Sequence, residues 1–502
     1  MYKNYKEALK KLKEYDEKLW VLKGNISLLE WDRAVIMPKK ALLERAKQTS
    51  IINEEYHKLF LNKELKKTIL YLKQKENYEK LNRTEKKRIE VFYKELKKIE
   101  KIPLKFIKEL SELESISQGK WEEAKQKNDF KIFQPYLKKL VEKYKEKAKL
   151  IDKKEHPYNI FLDDYEEGMT YKKIKEEFEI LKKELKKILE KIKKTKKYKE
   201  QKKLKQKILK YNFEKKIQEE LSKTISKKIL GEEKNWILKE SIHPFTTTIN
   251  HNDVRITTAY KKNPLFSYSA TIHESGHALF ELNIKQTGIL HDSPSLGLHE
   301  SQSRFWENHI GLNEKFWTVI FKEFKKKYKL KVSKKEWYEF INIVEPGSIR
   351  IEADEITYPF HIIIRFELEL ELFEGKIKVE ELPKKWKEKY KEYLGITPKN
   401  EREGVLQDVH WSMGSFGYFP TYVIGTLYAA TIYNYLKEKY DIDKDIKKLD
   451  FKRIKEWLKN NIHKYGRTKK AEEIIKKATK KGLNSKDFLK YIEEKYKKIY
   501  NI

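Results

Sequence analysis

The chain has 502 residues and a formal net charge of +35, from 113 Lys and Arg against 78 Asp and Glu. It contains no cysteine, which excludes disulfides, thiolate catalysis and Cys-ligated zinc. The segment Met1–Glu7 is charged and lacks an apolar signal core, and no run of about 18 apolar residues occurs, so a cytoplasmic protein with no membrane partner is the expectation. Such an excess of base also suits a nucleic-acid partner. However, no RNP sequence, paired-Cys module or glycine-rich phosphate loop accompanies it, and the lysines are interleaved with acids along the whole chain. A solvated, lysine-coated surface without nucleic acid is expected instead. With only 17 Gly and 12 Pro, few breakers interrupt the chain, which favours a mainly α protein.

In chain order, residues 1–150 read as successive amphipathic helices. One apolar break, Trp31 to Pro38, precedes a helix in which Leu42, Arg45 and Gln48 recur at helical spacing. A second break runs from His156 to Thr170. Two long helices follow, with Leu181, Leu185, Ile188, Leu189 and Ile192 forming an apolar stripe. Phe245–Ile249 and Val254–Thr258 are β-branched runs around a short polar link, and read as a hairpin. From residue 264 onward the pattern is helical again, except for the glycine-rich segment 400–425.

Just after the hairpin stands His273-Glu274-Ser275-Gly276-His277. On a helix, residues four apart share a face, so both imidazoles can bind one metal ion while Glu274 reaches a water on it. Read blandly, these are two surface histidines on a helix. A catalytic zinc takes three protein ligands and keeps one position open. Glu300, 23 residues after His277, is the best-placed third ligand, because Gly288 and Pro294 allow the chain to return. Glu281, Asp292, His299 and Glu307 compete for that role. Glu274 is the candidate general base. Asp354 is either an acceptor for a ligating imidazole or an ordinary helix-face carboxylate. In the 404–422 segment, Gln407, His410, Tyr418 and Tyr422 are candidate donors to a developing oxyanion. The same residues also suit a tyrosine-rich packed corner.

Together these segments resemble the carboxypeptidase Taq family of metallocarboxypeptidases. The resemblance rests on HESGH at 273, His243-Pro244-Phe245, Asp253-Val254-Arg255-Ile256-Thr257, HESQSR at 299, IRIEAD at 349, and GVLQDVHW at 404 followed by GYFPTY. Trp31-Asp32 with Met37-Pro38, and Tyr165–Thr170, add to it. It runs nearly end to end and keeps motif order.

The resemblance implies a large helical peptidase of the neurolysin-like kind, with a deep groove and a small sheet beside the metal. It implies a homodimer that removes single residues from peptides with a free C-terminus, using Zn2+ or sometimes Co2+. His273, His277 and Glu300 then bind the metal, and Glu274 is the base. Arg350 is the first choice for the substrate carboxylate, with Arg255 and Arg304 as alternatives. His243 and the 404–411 motif, including Gln407 and Trp411, are expected to close one end of the groove. One catalytic domain over 1–502 is expected: helical walls in 1–240, site motifs in 241–425, and C-terminal helices in 426–502. The rival readings are an endo-acting or dipeptide-releasing zinc oligopeptidase, and a basic nucleic-acid-binding protein with a vestigial metal site.

Overall fold

The computed structural model describes residues 2–502. Helices run from Tyr5–Val35 at one end to Lys486–Tyr500 at the other, and the sheet has three strands. This is the mainly helical architecture that the composition implies. The lysine-rich stretches fold because each carries one apolar face. In the helix Tyr171–Lys193, the residues Leu181, Leu185, Ile188, Leu189 and Ile192 are all buried. A large apolar cluster extends from Phe106 to Tyr500, and a separate one, from Ala8 to Leu96, holds the N-terminal helices together.

The break expected at Trp31–Pro38 is shorter in the structure. The first helix continues through Trp31 to Val35, and the chain turns only at Ile36–Pro38. Tertiary contacts hold that last turn in place. Trp31 is buried beneath the Arg255 guanidinium, 4.5 Å from its ring centre, and Asp32 pairs with Arg45 on the helix Leu42–Phe60. The second break contains the short helix Pro157–Leu162 before the chain turns toward Thr170.

The expected hairpin is present as β2 (Thr246–Asn250) and β3 (Asp253–Thr258), with Thr247 opposite Arg255. A further strand, β1 (Trp236–Glu240), runs parallel to β3 on its other side. Its five residues show no apolar alternation and follow a lysine-rich helix, so periodicity gave no sign of it. The order β1-β3-β2 leaves β2 at an edge. Trp236, Val254 and Ile256 pack on Ala278, which fixes the sheet to the helix carrying the two histidines. Thr257 N donates to Phe245 O at 2.9 Å. Antiparallel alternation then directs the backbone of Thr247 to β3 and those of Thr246 and Thr248 away from it.

Candidate metal centre and active site

The helix Pro264–Asn283 starts on a strong signal: Asn263 accepts from Leu265 N at 3.1 Å, and Pro264 occupies the first position. Its residue Gly276 is a steric requirement. A Cβ there would lie 2.6 Å from Gln302 O and 2.7 Å from Ser303 Cα, so only glycine lets the helix Leu296–Arg304 come this close. On the other side, a Cβ at Gly425 would lie 2.6 Å from Glu300 Cγ. The helix that carries Glu300 is thus seated between two helices at points where each lacks a side chain. Its start is held by Ser295, which accepts from Leu298 N at 3.0 Å, and by the buried Glu166, which accepts from Gly297 N.

This packing places Glu300 Oε2 3.5 Å from His273 Nε2 and 3.4 Å from His277 Nε2. Among the described residues, this is the group of three whose donor atoms all lie within 4.8 Å of one another. The donor set fits a divalent metal. Bonds of about 2.1 Å in a tetrahedron separate ligand atoms by about 3.4 Å, and two imidazoles with one carboxylate are a catalytic-zinc type of set.

The surrounding charges act differently on the three donors: against burial, Glu300 and then Glu307 raise His273 well above its ordinary value, so a metal must displace a proton there. Burial opposes ionisation of Glu300, but Arg304 and then His273 outweigh it and hold the carboxyl well below its ordinary value. Arg304 Nε donates to Glu300 Oε1 at 2.7 Å and Nη1 to Glu307 Oε2 at 3.3 Å. Burial, followed by the His299 charge, lowers His277 to about 3, which keeps it neutral as a ligand must be. Burial likewise raises Glu274. Thr246 Oγ1 on β2 donates to Glu274 Oε2 at 2.6 Å and so fixes the orientation of that carboxylate.

The four competing ligands have other partners. Glu307 Oε2 is 2.8 Å from His273 Nδ1. Glu281 is 2.8 Å from His299 Nε2 and accepts from Thr248 Oγ1 at 3.0 Å. His299 stacks on His277 with centroids 4.3 Å apart, and Asp292 pairs with Lys23 at 2.9 Å.

Asp354 is not the acceptor for a ligating imidazole. Its oxygens accept from the backbone N–H groups of Glu345, Ile356 and Thr357 and from the Thr357 hydroxyl, at 2.8–3.0 Å, so it holds a turn instead. Glu307, read from sequence only as a competing ligand, stands instead at the Nδ1 of His273. His277 Nδ1 is buried with no hydrogen-bond partner among the described residues.

Arg350 is buried at 8 % exposure. Its Nε donates to Asp408 Oδ1 at 2.9 Å, while Arg365 Nε donates to Asp408 Oδ2 at 2.7 Å. Tyr422 faces the Arg350 guanidinium at 4.9 Å, and Arg304 lies 4.5 Å over the Tyr358 ring, so aromatic contacts link Arg350 back toward Glu300. His410 Nε2 is 3.2 Å from Tyr422 OH, and Tyr418 packs 5.3 Å from Tyr422. Burial lowers His410 to about 4, so it is neutral near pH 7. Burial raises both tyrosines, with Glu300 contributing, and they remain protonated donors.

Three residues expected at the substrate groove have partners within the chain. Gln407 is used internally: Oε1 accepts from Arg350 N at 3.0 Å and Nε2 donates to Ser348 O and Glu403 O. Trp411 is buried, and its Nε1 donates to Glu369 Oε1 at 2.7 Å. Arg255 forms a two-pronged pair with Asp253, at 2.9 and 2.8 Å, and stacks on Trp31. His243 lies exposed in the loop between β1 and β2. Thr246, Asp408, Arg365 and Glu369 were missed from sequence. The only signal for Thr246 was its place in a β-branched run, and for Arg365 and Glu369 their spacing of one helical turn.

A helical body that carries this two-His, one-Glu centre, with a buried carboxylate and a sheet edge beside it, has the architecture of a metal-dependent peptide hydrolase. Comparison with known proteins specifies the class. The model of the carboxypeptidase Taq (M32) metallopeptidase family matches residues 11–496, and the chain belongs to that family. It is 36 % identical over 506 aligned positions to carboxypeptidase 1 of Bacillus subtilis, covering 99 % of this chain and 98 % of that one. It is also 36 % identical to thermostable carboxypeptidase 1 of Pyrococcus furiosus, covering 98 % of both. Among solved structures, the M32 carboxypeptidase of Deinococcus radiodurans superposes with a TM-score of 0.92 at 29 % identity, over 99 % of this chain and 100 % of that one. The Pyrococcus furiosus carboxypeptidase gives 0.91 at 34 % identity, over 99 % of each chain. The protein is therefore a metallocarboxypeptidase. Among the described residues, no helix is long and apolar enough to cross a membrane.

Proposed function

We propose that this chain is a zinc-dependent carboxypeptidase, releasing single C-terminal residues from peptides with broad specificity, with cobalt as the alternative ion. The observation that supports it most is the convergence of His273 Nε2 and His277 Nε2 on Glu300 Oε2, next to Glu274 in the same helix. A divalent ion held by those three residues supplies Lewis acidity, lowering the pKa of a water toward about 7 and polarising the scissile carbonyl.

The chain's own residues do the rest. Glu274 accepts the proton of the attacking water and delivers it to the leaving amine. The Thr246 hydroxyl holds one Glu274 oxygen at 2.6 Å and leaves the other for the proton. The outward backbone groups of Thr246 and Thr248 pair with an extended peptide as an added strand. His410, Tyr418 and Tyr422 donate to the developing oxyanion. Arg350 receives the terminal carboxylate through its outer nitrogens, because Asp408 occupies its Nε. Gln407 and Asp408 act by holding Arg350, and the 404–411 segment with His243 forms the closed end of the groove. One catalytic domain over 1–502, acting as a homodimer, belongs to the same reading.

A timed digest of one long peptide, with its C-terminus free or amidated, tests this reading by mass. The expected product is a ladder of single-residue losses from the free peptide only. Internal cuts or dipeptide release would make the enzyme an oligopeptidase of the endo-acting or dipeptide-releasing kind.

A further inference from the structure

Glu369 is fully buried in the helix Tyr358–Phe373 and has no ion-pair partner among the described residues. A carboxylate is costly in such a place unless donors surround it. Three donors do, one from the helix Pro157–Leu162 and two from the 404–422 segment: Tyr158 OH at 2.7 Å, Trp411 Nε1 at 2.7 Å and Gly417 N at 3.1 Å. Trp411 directly follows His410, and Gly417 directly precedes Tyr418. The carboxylate therefore grips the 404–422 segment at both flanks of the turn between these two side chains. One helical turn earlier, Arg365 grips the same segment at Asp408, with its Nε 2.7 Å from Oδ2.

We propose that Glu369 is a positioning residue for peptide hydrolysis, setting the separation and aim of His410 and Tyr418 by clasping Trp411 and Gly417. The proposal rests on the reading of His410 and Tyr418 as oxyanion donors. Only a carboxylate suits the position. It offers acceptor oxygens to all three donors, whereas a carboxamide turns an N–H toward one of them.

The test uses the metal-loaded full chain and three variants: Glu369→Gln, Trp411→Phe and Tyr158→Phe. Trp411→Phe removes a hydrogen bond to the segment, whereas Tyr158→Phe removes an equally short one from the same carboxylate but outside the segment. A misplacement near 1 Å costs roughly a hundredfold in rate. Glu369→Gln and Trp411→Phe are therefore expected to lower kcat about ten- to a hundredfold, with KM and metal stoichiometry unchanged. Tyr158→Phe is expected to lower kcat less than Trp411→Phe does, whatever it does to the melting temperature. Wild-type kcat in Trp411→Phe, or an equal fall in Tyr158→Phe, overturns the proposal. If Glu369→Gln does not fold, the other two variants decide the matter. Full kcat in Tyr418→Phe would instead overturn the assignment of Tyr418, which separates the two failures.

Discussion

Glu307 Oε2 lies 2.8 Å from His273 Nδ1, across the ring from the Nε2 that faces Glu300. An ionised carboxylate at Nδ1 puts the imidazole proton there and leaves the Nε2 lone pair for a metal. Arg304 bridges Glu300 and Glu307, so ligand and support are held as one unit. Glu307→Gln is expected to weaken metal binding about 10- to 100-fold, read by chelator competition on the apo protein. Unchanged affinity would exclude an orienting role for Glu307.

Glu274 differs from the ligands in what its loss should do. Glu274→Gln keeps the shape and the Thr246 contact but cannot accept a proton. Metal content should stay at the wild-type level while kcat falls about 10²- to 10⁴-fold. Thr246→Val should reduce kcat less, since it only frees a carboxylate now held at 2.6 Å. Normal turnover in Glu274→Gln would sink the general-base assignment.

The elements that local pattern specifies were legible in the sequence: the amphipathic helix Tyr171–Lys193, the β2–β3 hairpin and the His-Glu-x-x-His helix. What was illegible depends on which distant residues meet. Asp354 and Glu307 are both carboxylates in helical sequence, and nothing local shows that one holds a turn while the other holds His273. Gln407 and Trp411 read as part of a loop closing the groove because the segment is rich in glycine and polar residues. Their donors are in fact used on Ser348 and Glu369, far away in sequence. Gly276 shows the opposite case. The sequence contained the cause of the close helix approach, but only the position of Gln302 and Ser303 reveals it.

Arg350 is the residue most directly tied to which end of a peptide is cut. Its Nε is taken by Asp408 at 2.9 Å, and its Nη1 has only a 3.5 Å contact with Tyr358 OH. Arg350→Lys keeps the charge but loses the forked donor geometry. A charge-assisted hydrogen bond contributes about 1.5–3 kcal/mol, so KM for free peptides should rise roughly ten- to a hundredfold with kcat little changed. Activity on free and amidated peptides should become more alike. If the two respond equally to the substitution, the carboxylate is held elsewhere.

Glu166 links pH to the seat of Glu300. Burial pushes its carboxyl up to about 8 from an ordinary 4.5, although Gly297 N, at the start of the Glu300 helix, donates to it. Below about 4.5 the folded and unfolded chains both hold this proton, and the group contributes no pH dependence. Between about 4.5 and about 8 the folded chain keeps the proton while the unfolded chain has lost it. Stability therefore falls as pH rises, by about 1.4 kcal/mol per pH unit from this one group, and levels off above the folded value. Glu166→Gln removes the titration. Its melting temperature relative to wild type should climb from about pH 5 to about pH 8 and then stay constant. A difference that does not change with pH across that window would mean that Glu166 titrates normally and does not carry the burial cost assigned to it.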